Sequence, residues 1–229
     1  HDKTGEFKTL DTLPRFIKAR HIHTGFTQKS RELNYFGLAT FSRFPIVNRG
    51  EIRFPTRDGN LCIYTDIRID GDTIRVYNVH FESIGLSPED YLFMENIING
   101  EKTLNRIAIQ EGTLQIMQRI KSASQKRALQ VEMVAQSVAE SPHPVVLAGD
   151  FNDTPVSFTY RVMTRYLNDA FKSGRGVGQT YVGVLPGFRI DYILHSDEFT
   201  PYNFITGDQK YSDHYPVSVT LNFLPESTN

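Results

Sequence analysis

The sequence predicts a layered α/β domain, and three observations carry that prediction. Apolar or alternating runs separated by turn signals fill residues 35 to 81, the pattern of an antiparallel meander. Helical spacing then takes over from about 87 to 140, and strand-like apolar runs return from 144 to 223. Strands that pair early and late in the chain, with helices between them, bury their apolar faces by stacking in layers. No repeat, low-complexity tract or linker divides the chain. Its 229 residues are therefore expected to form a single domain over 1–229, large enough for a substantial core.

The elements follow in order. The first residues are polar and poorly patterned. Asp11 is a good N-cap, with Pro14 in the first turns and Leu13, Phe16 and Ile17 on one face, so a short helix is expected there. His21-Ile22-His23 resembles a metal-binding alternation but lacks a third histidine nearby. Tyr35 to Phe41 reads as a strand ending at Ser42-Arg43-Phe44-Pro45. Strands follow at about 46–54, 61–69 and 73–81, the last two joined by the hairpin signal Asp70-Gly71-Asp72.

Ser87-Pro88-Glu89-Asp90 opens a helix, with the serine as cap and the proline at its first position. A longer helix is expected from about Glu111 to Glu140, with a break near Ser122–Ser124. Leu114, Met117, Ile120, Leu129, Val131, Val134 and Val138 lie close to helical spacing along it. Its cluster Arg119, Lys121, Lys126 and Arg127 reads as a solvated face in preference to a phosphate site. A proline-led apolar strand at 144–148 then runs into Gly149, and a helix is expected at about 157–166. After a glycine-rich loop from Ser173 to Gly178, strands are expected at about 189–194, 199–205 and 215–223.

Composition narrows the function classes. Apolar residues make up 39%, aromatics 12% and charged residues 22%, which is ordinary for a globular domain. A net charge of -1 supplies no general basic field for non-specific nucleic-acid binding, although a local basic groove is compatible with it. The single cysteine, Cys62, excludes an intrachain disulfide and a cysteine zinc cluster, and its apolar setting marks it as a core residue. No apolar stretch approaches the roughly 18 residues that span a bilayer, and no signal peptide is visible.

The chemistry concentrates in a few stretches. Pro144-Val145-Val146-Leu147-Ala148-Gly149-Asp150-Phe151-Asn152 ends a buried strand with a carboxylate and a carboxamide two residues apart, so both can project from the same side. The bland alternative is a turn after a core strand. Arg189-Ile190-Asp191-Tyr192-Ile193-Leu194 places an acid in an apolar strand, where a carboxylate is costly unless it is paired or hydrogen-bonded. In Ser212-Asp213-His214 the acid and the histidine alternate in direction. Asp191 is therefore the better partner to orient His214 as a catalytic imidazole, which leaves Asp213 for a metal. Tyr77-Asn78-Val79-His80-Phe81 closes another strand with a histidine.

Together these stretches resemble the endonuclease/exonuclease/phosphatase superfamily, which has the DNase I-like fold. The matching segments, in family order, are Gly37-Leu38-Ala39-Thr40-Phe41-Ser42-Arg43, Asn78-Val79-His80-Phe81, Gly149-Asp150-Phe151-Asn152, Arg189-Ile190-Asp191-Tyr192-Ile193 and Ser212-Asp213-His214. The resemblance implies a four-layer αββα sandwich of two mixed, largely antiparallel sheets flanked by helices, with the site at one edge. It implies phosphoester hydrolysis with Mg2+ or Mn2+, hard cations suited to oxygen ligands. His214, oriented by Asp191, is then the general base or transition-state partner. Asp150 positions or deprotonates the attacking water, Asn152 holds the water or a phosphate oxygen, His80 binds developing charge on the phosphate, and Asp213 is a metal ligand. Family members differ over which residue takes the proton.

One departure from the family is as informative. The family opens with a strand carrying an asparagine and a second strand ending in a metal-binding glutamate. Residues 1–34 offer Asp2, Glu6, Asp11, Glu32 and Asn34, none of them ending an apolar strand. With His1 in place of a methionine, the chain is expected to be the larger, C-terminal part of such a domain, lacking the first strands. That part would bind metal weakly or not at all, have impaired activity and tend to self-associate. Some bacterial members of the family carry hydrophobic segments before the domain, so a lost membrane anchor is compatible with this reading. The alternative function is a non-catalytic scaffold that binds a phosphate-bearing ligand. The substrate, whether nucleic acid, phospholipid or small molecule, stays open; Arg43, Arg161, Arg165, Arg175 and Arg189 are the candidate groups for holding it.

Overall fold

The computed structural model describes residues 9–30, 34–56, 59–100, 105–176, 178–183 and 188–224. A short helix α1 (Thr9–Ile17) precedes β1 (His21–Ser30), β2 (Asn34–Ser42), β3 (Ile46–Arg53), β4 (Leu61–Ile69) and β5 (Asp72–His80). Helices α2 (Pro88–Ile98) and α3 (Arg106–Ala139) follow. The rest comprises β6 (Val145–Asp150), α4 (Phe158–Met163), β7 (Asn168–Asp169), β8 (Asp191–His195), β9 (Phe199–Thr206) and β10 (Val217–Phe223). Asp2, Glu6 and Glu32, considered above as metal ligands, lie outside the described residues.

The central sheet has the order β3-β4-β5-β6-β8-β7. It is mixed, because β5 and β6 run parallel while the other neighbours are antiparallel. Alternation along each strand sends Cys62, Tyr77, Val79, Leu147, Tyr192 and Leu194 to one face, where Val131, Val134 and Val138 of α3 cover them. The opposite face carries Ile67, Ile74, Val146 and Ile193, covered by the β9–β10 ribbon through Phe199, Phe204 and Leu221. The β1–β2 ribbon lies on that same face, with His23 Nδ1 2.8 Å from Thr65 Oγ1 and Asn78 donating to the Ala39 carbonyl at 3.1 Å. The fold is thus a mixed multi-strand sheet flanked by helices. Opposite the helices, the described residues show two separate ribbons, β1–β2 and β10–β9.

Several local readings differ from the sequence expectation. The strand β1 has no hydrophobic signature, since His23 and Gly25 fill its buried side. Helix α3 begins at Arg106 and runs unbroken to Ala139. Its buried stripe is Ala123, Arg127, Val131, Val134 and Val138, all in the second half; Leu114, Met117 and Ile120 lie in the first half, where no residue is buried, and Leu129 faces away from the stripe. Ser87 caps α2 as expected, accepting from the Asp90 amide while Asp90 accepts from the Ser87 amide. Cys62 is fully buried, and burial pushes its thiol up.

One ion pair in the sheet makes a stability prediction. Asp66 on β4 faces Arg75 on β5, accepting from Nε at 2.7 Å and Nη2 at 2.9 Å, with Asn48 as a further donor at 2.9 Å. Burial alone would raise the Asp66 carboxyl, but these donors outweigh it and hold the group below its ordinary value. A lowered carboxyl contributes stability that is present above its unfolded value, about 3.9, and is lost as the pH falls through the folded one. Denaturant midpoints measured from about pH 6 to pH 3 should therefore fall more steeply in the wild type than in Asp66→Asn. Parallel profiles would show that this pair is not linked to stability.

Candidate active site

Strand register brings the predicted residues together. The parallel pairing of β5 and β6 sets His80 opposite Asp150, and the antiparallel pairing of β6 and β8 sets Asp150 opposite Asp191. Three site residues therefore stand in one row across three strand ends, on one face. The row needs close strands, and Gly149 permits that approach: a β-carbon there would meet the Val79 carbonyl oxygen at 2.0 Å. Each member has a buried aromatic as its chain neighbour, Phe81, Phe151 and Tyr192, pointing to the opposite face and packed in sequence, edge-on and then tilted, at ring separations of 5.2 and 4.6 Å. That aromatic file anchors the strand ends against rotation.

Asn152 joins the row from a turn. It sits at φ 49, a left-handed conformation that asparagine tolerates better than most side chains. Its amide donates to Asp150 Oδ1 at 2.7 Å, and its Nδ2 donates to Asp150 Oδ2 at 3.0 Å and to the Phe81 carbonyl at 3.0 Å. His214 arrives from the segment before β10. That segment is clamped where the Tyr215 amide donates to the Thr180 carbonyl at 2.7 Å and the Val182 amide to that of Asp213 at 2.8 Å. Thr180, fully buried, also accepts at Oγ1 from the amides of Ile190 and Asp191. His214 Nδ1 then lies 2.8 Å from Asp191 Oδ2, and its Nε2 lies 4.0 Å from Asp150 Oδ2.

The electrostatics follow from these contacts. The Asp191 hydrogen bond holds the His214 imidazole up, to about 9. Burial, reinforced by the Asp191 carboxylate, pushes the Asp150 carboxyl up to about 7. Burial, with the nearby His214 charge, lowers His80. In the metal-free protein, an NMR titration of the ring protons should give His214 a midpoint near 9 and His80 one below 6.5, with Asp191→Asn bringing His214 down. Coincident midpoints would show that Asp191 does not hold a proton on His214.

A divalent cation fits this donor set. Asp150, Asp191 and His214 offer ligand atoms within 4.8 Å of one another, but Asp191 and His214 engage each other, so Asp150 is the free oxygen donor of the three. Burial, with the Asp191 carboxylate alongside, raises the Asp150 carboxyl, a cost that a bound cation would offset, and no thiolate is present. Asp213, read from the sequence as a metal ligand, is exposed at the rim of the same cavity, with Oδ1 accepting from Ser212 at 2.9 Å.

Other residues of the site had no sequence signal. Asn60, on the loop before β4, places Oδ1 2.6 Å from His80 Nδ1, which directs Nε2 toward Asn152 and Asp150. Tyr181 stands edge-on to the His214 ring at 5.7 Å and meets the Tyr91 hydroxyl at 3.2 Å. Arg127, expected on a solvated helix face, is instead 2% exposed: its Nε donates to Asp153 at 3.0 Å and its Nη1 to the Glu82 carbonyl at 2.8 Å. Arg189, a candidate substrate group, is buried against Asp169 at 2.7 Å. Arg43 donates to the Ile17 carbonyl at 3.2 Å, and Arg161, Arg165 and Arg175 are exposed. None of these five arginines lines the cavity beside the site, whose volume is about 410 Å³.

Comparison with known proteins places the fold and the family. The profile of the endonuclease/exonuclease/phosphatase family matches residues 6–214. No curated protein matches the sequence. Among solved structures, the human nocturnin catalytic domain superposes with a TM-score of 0.63 at 16% identity, covering 95% of this chain and 77% of that one. A mannosyl-6-phosphatase of Bacteroides thetaiotaomicron gives 0.60 at 17% identity, covering 93% and 81%. A humanized D. rerio TDP2 gives 0.61 at 16% identity, covering 93% and 80%. At these identities the likeness concerns the fold.

Proposed function

The chain belongs to the endonuclease/exonuclease/phosphatase family, and on that premise we propose that it is a metal-dependent phosphoester hydrolase using an activated water. The observation that carries this reading is the row His80–Asp150–Asp191 closed by the 2.8 Å contact from Asp191 to His214. Asp191 fixes the ring so that Nε2 faces the row, as a carboxylate does for any catalytic imidazole. With His214 held up to about 9, that ring carries its proton at neutral pH in the metal-free protein and serves as a donor to phosphate charge. Asp150, whose Oδ2 lies 4.0 Å from His214 Nε2 and whose carboxylate is held by Asn152, is placed to position or deprotonate the attacking water.

Asn152 and His80 complete the phosphate contacts. The Asn152 amide nitrogen is engaged with Asp150 and Phe81, which leaves its oxygen for the water. Neutral His80 has its Nδ1 proton satisfied by Asn60, and an arriving anion raises its pKa so that Nε2 gains a proton to donate. Asp213 and Asp150 would hold Mg2+ or Mn2+, which as a Lewis acid would polarise the phosphoryl oxygens. Supporting the reading, one structural relative is described as a mannosyl-6-phosphatase.

The test is hydrolysis of bis(p-nitrophenyl) phosphate and p-nitrophenyl phosphate with Mg2+ or Mn2+. Turnover that disappears with chelator and returns with metal is expected. No turnover of either ester with either metal, in a protein that still binds phosphate, would leave the non-catalytic binding function in its place.

A further inference from the structure

Beside the phosphate contacts lies the cavity of about 410 Å³, within the size range of small-molecule sites. Its floor is His80, Asp150, Asn152 and His214, and its walls are mostly apolar, with Ser83, Ser124, Asp153, Thr154 and the rings of Tyr91 and Tyr181 among them. Ile84 and Leu86 come from the segment after β5, Met94 from α2, Ile116 and Ile120 from α3, and Phe188 from the segment before β8. Among the described lining residues, Arg127 is the only permanently charged cation, and its guanidinium is already committed to Asp153, the Glu82 carbonyl and Ser124. A substrate with several phosphates, whether a nucleic acid or a polyphosphorylated headgroup, needs cations along its length. Among its described lining residues this cavity supplies none that is free beyond the floor.

The apolar wall also continues outward. Met94 and Ile116 line a second, shallower groove between α2 and α3 together with Ile97, Ile98, Ile109 and Met117. Of these, Ile97, Ile98, Ile109 and Met117 are exposed. Through the shared Met94 and Ile116, apolar surface thus extends from the cavity wall to the exposed side of the helix pair.

We infer that the substrate is a phosphoester bearing an apolar, alkyl-type group, its phosphate on the His80–Asp150–His214 floor and its chain along the α2–α3 wall. The inference rests on the phosphate site proposed above and adds the class of the esterified group. Each methylene moved from water to this wall should tighten binding about threefold to fourfold, the equivalent of about 0.8 kcal/mol.

The test is calorimetric binding of methyl-, butyl-, hexyl- and octylphosphonate with Mg2+ present. Affinity should rise about threefold to fourfold per methylene, hence by roughly a thousandfold or more from methyl to octyl, and Met94→Asn or Ile116→Asn should flatten the series while Met94→Leu preserves it. A flat series in the wild type, or no binding of any member, overturns the inference. A variant that melts early is replaced by Ile120→Asn, which alters an exposed wall position. Because the readout is binding, the two conclusions fail separately. A steep series without turnover of any ester removes only the hydrolase reading, and turnover with a flat series removes only the chain-binding one. Phospholipid vesicles identify the source: cleavage there, with a steep series, names a membrane lipid, and a steep series without it names a soluble alkyl ester.

Discussion

Replacing His214 or Asp150 with alanine is expected to lower phosphoester turnover at least about a hundredfold, the usual consequence of losing an acid–base group. The two side chains are 25% and 16% exposed, His214 before β10 and Asp150 at the end of β6, and neither fills the core, so the thermal transition should stay close to wild type. Asp191→Asn sharpens the experiment. It keeps the shape beside His214 but removes the charge that selects the ring's proton arrangement. Its turnover should fall by a similar factor with little change in KM, and its His214 titration should move down together with the rate. Near-wild-type rates in any of the three variants, measured with saturating Mg2+ or Mn2+, would sink the assignment of the row as catalytic.

The second large effect concerns stability. Arg127→Ala is expected to cost about 3 kcal/mol, at the lower end for breaking a buried ion pair, because the Asp153 carboxylate is 19% exposed and keeps the Thr159 hydroxyl at 3.0 Å. The Glu82 carbonyl would lose its donor at the same time. For a chain of this length that corresponds to a fall in Tm of roughly 6–12 °C. Arg127→Lys should recover little of it, since an ammonium cannot serve Asp153, Glu82 and Ser124 with one planar fork. A scanning-calorimetry Tm within a degree or so of wild type for Arg127→Ala would show that the guanidinium is dispensable to the fold.

Much of this molecule was legible in the chain alone. The strands 61–69 and 72–80 and their hairpin follow from local alternation and turn chemistry, which depend on neighbours only a few residues away. The Ser87 cap is local for the same reason. Asp191 stood out because a carboxylate in an apolar strand demands a partner, and a histidine near the last strand was available to supply one. Family membership rests on the same short strand-end segments, each of which encodes its own geometry.

Tertiary structure decided the rest, wherever burial was set by what packs from elsewhere. Strand β1 carries His23 and Gly25 on its buried side, so no hydrophobic period announces it, and only the sheet beneath makes those positions interior. Along α3 the apolar spacing is nearly continuous, yet every buried residue lies in the second half of the helix. Arg127 reads as one of a basic cluster on a solvated helix, but the fold brings Asp153 and the Glu82 carbonyl to it and makes it the largest fully buried side chain among the described residues. The row of His80, Asp150 and Asp191 depends on which strands are neighbours and in what register. That pairing joins residues separated by 70 and 41 positions in the chain, and no local propensity reaches so far.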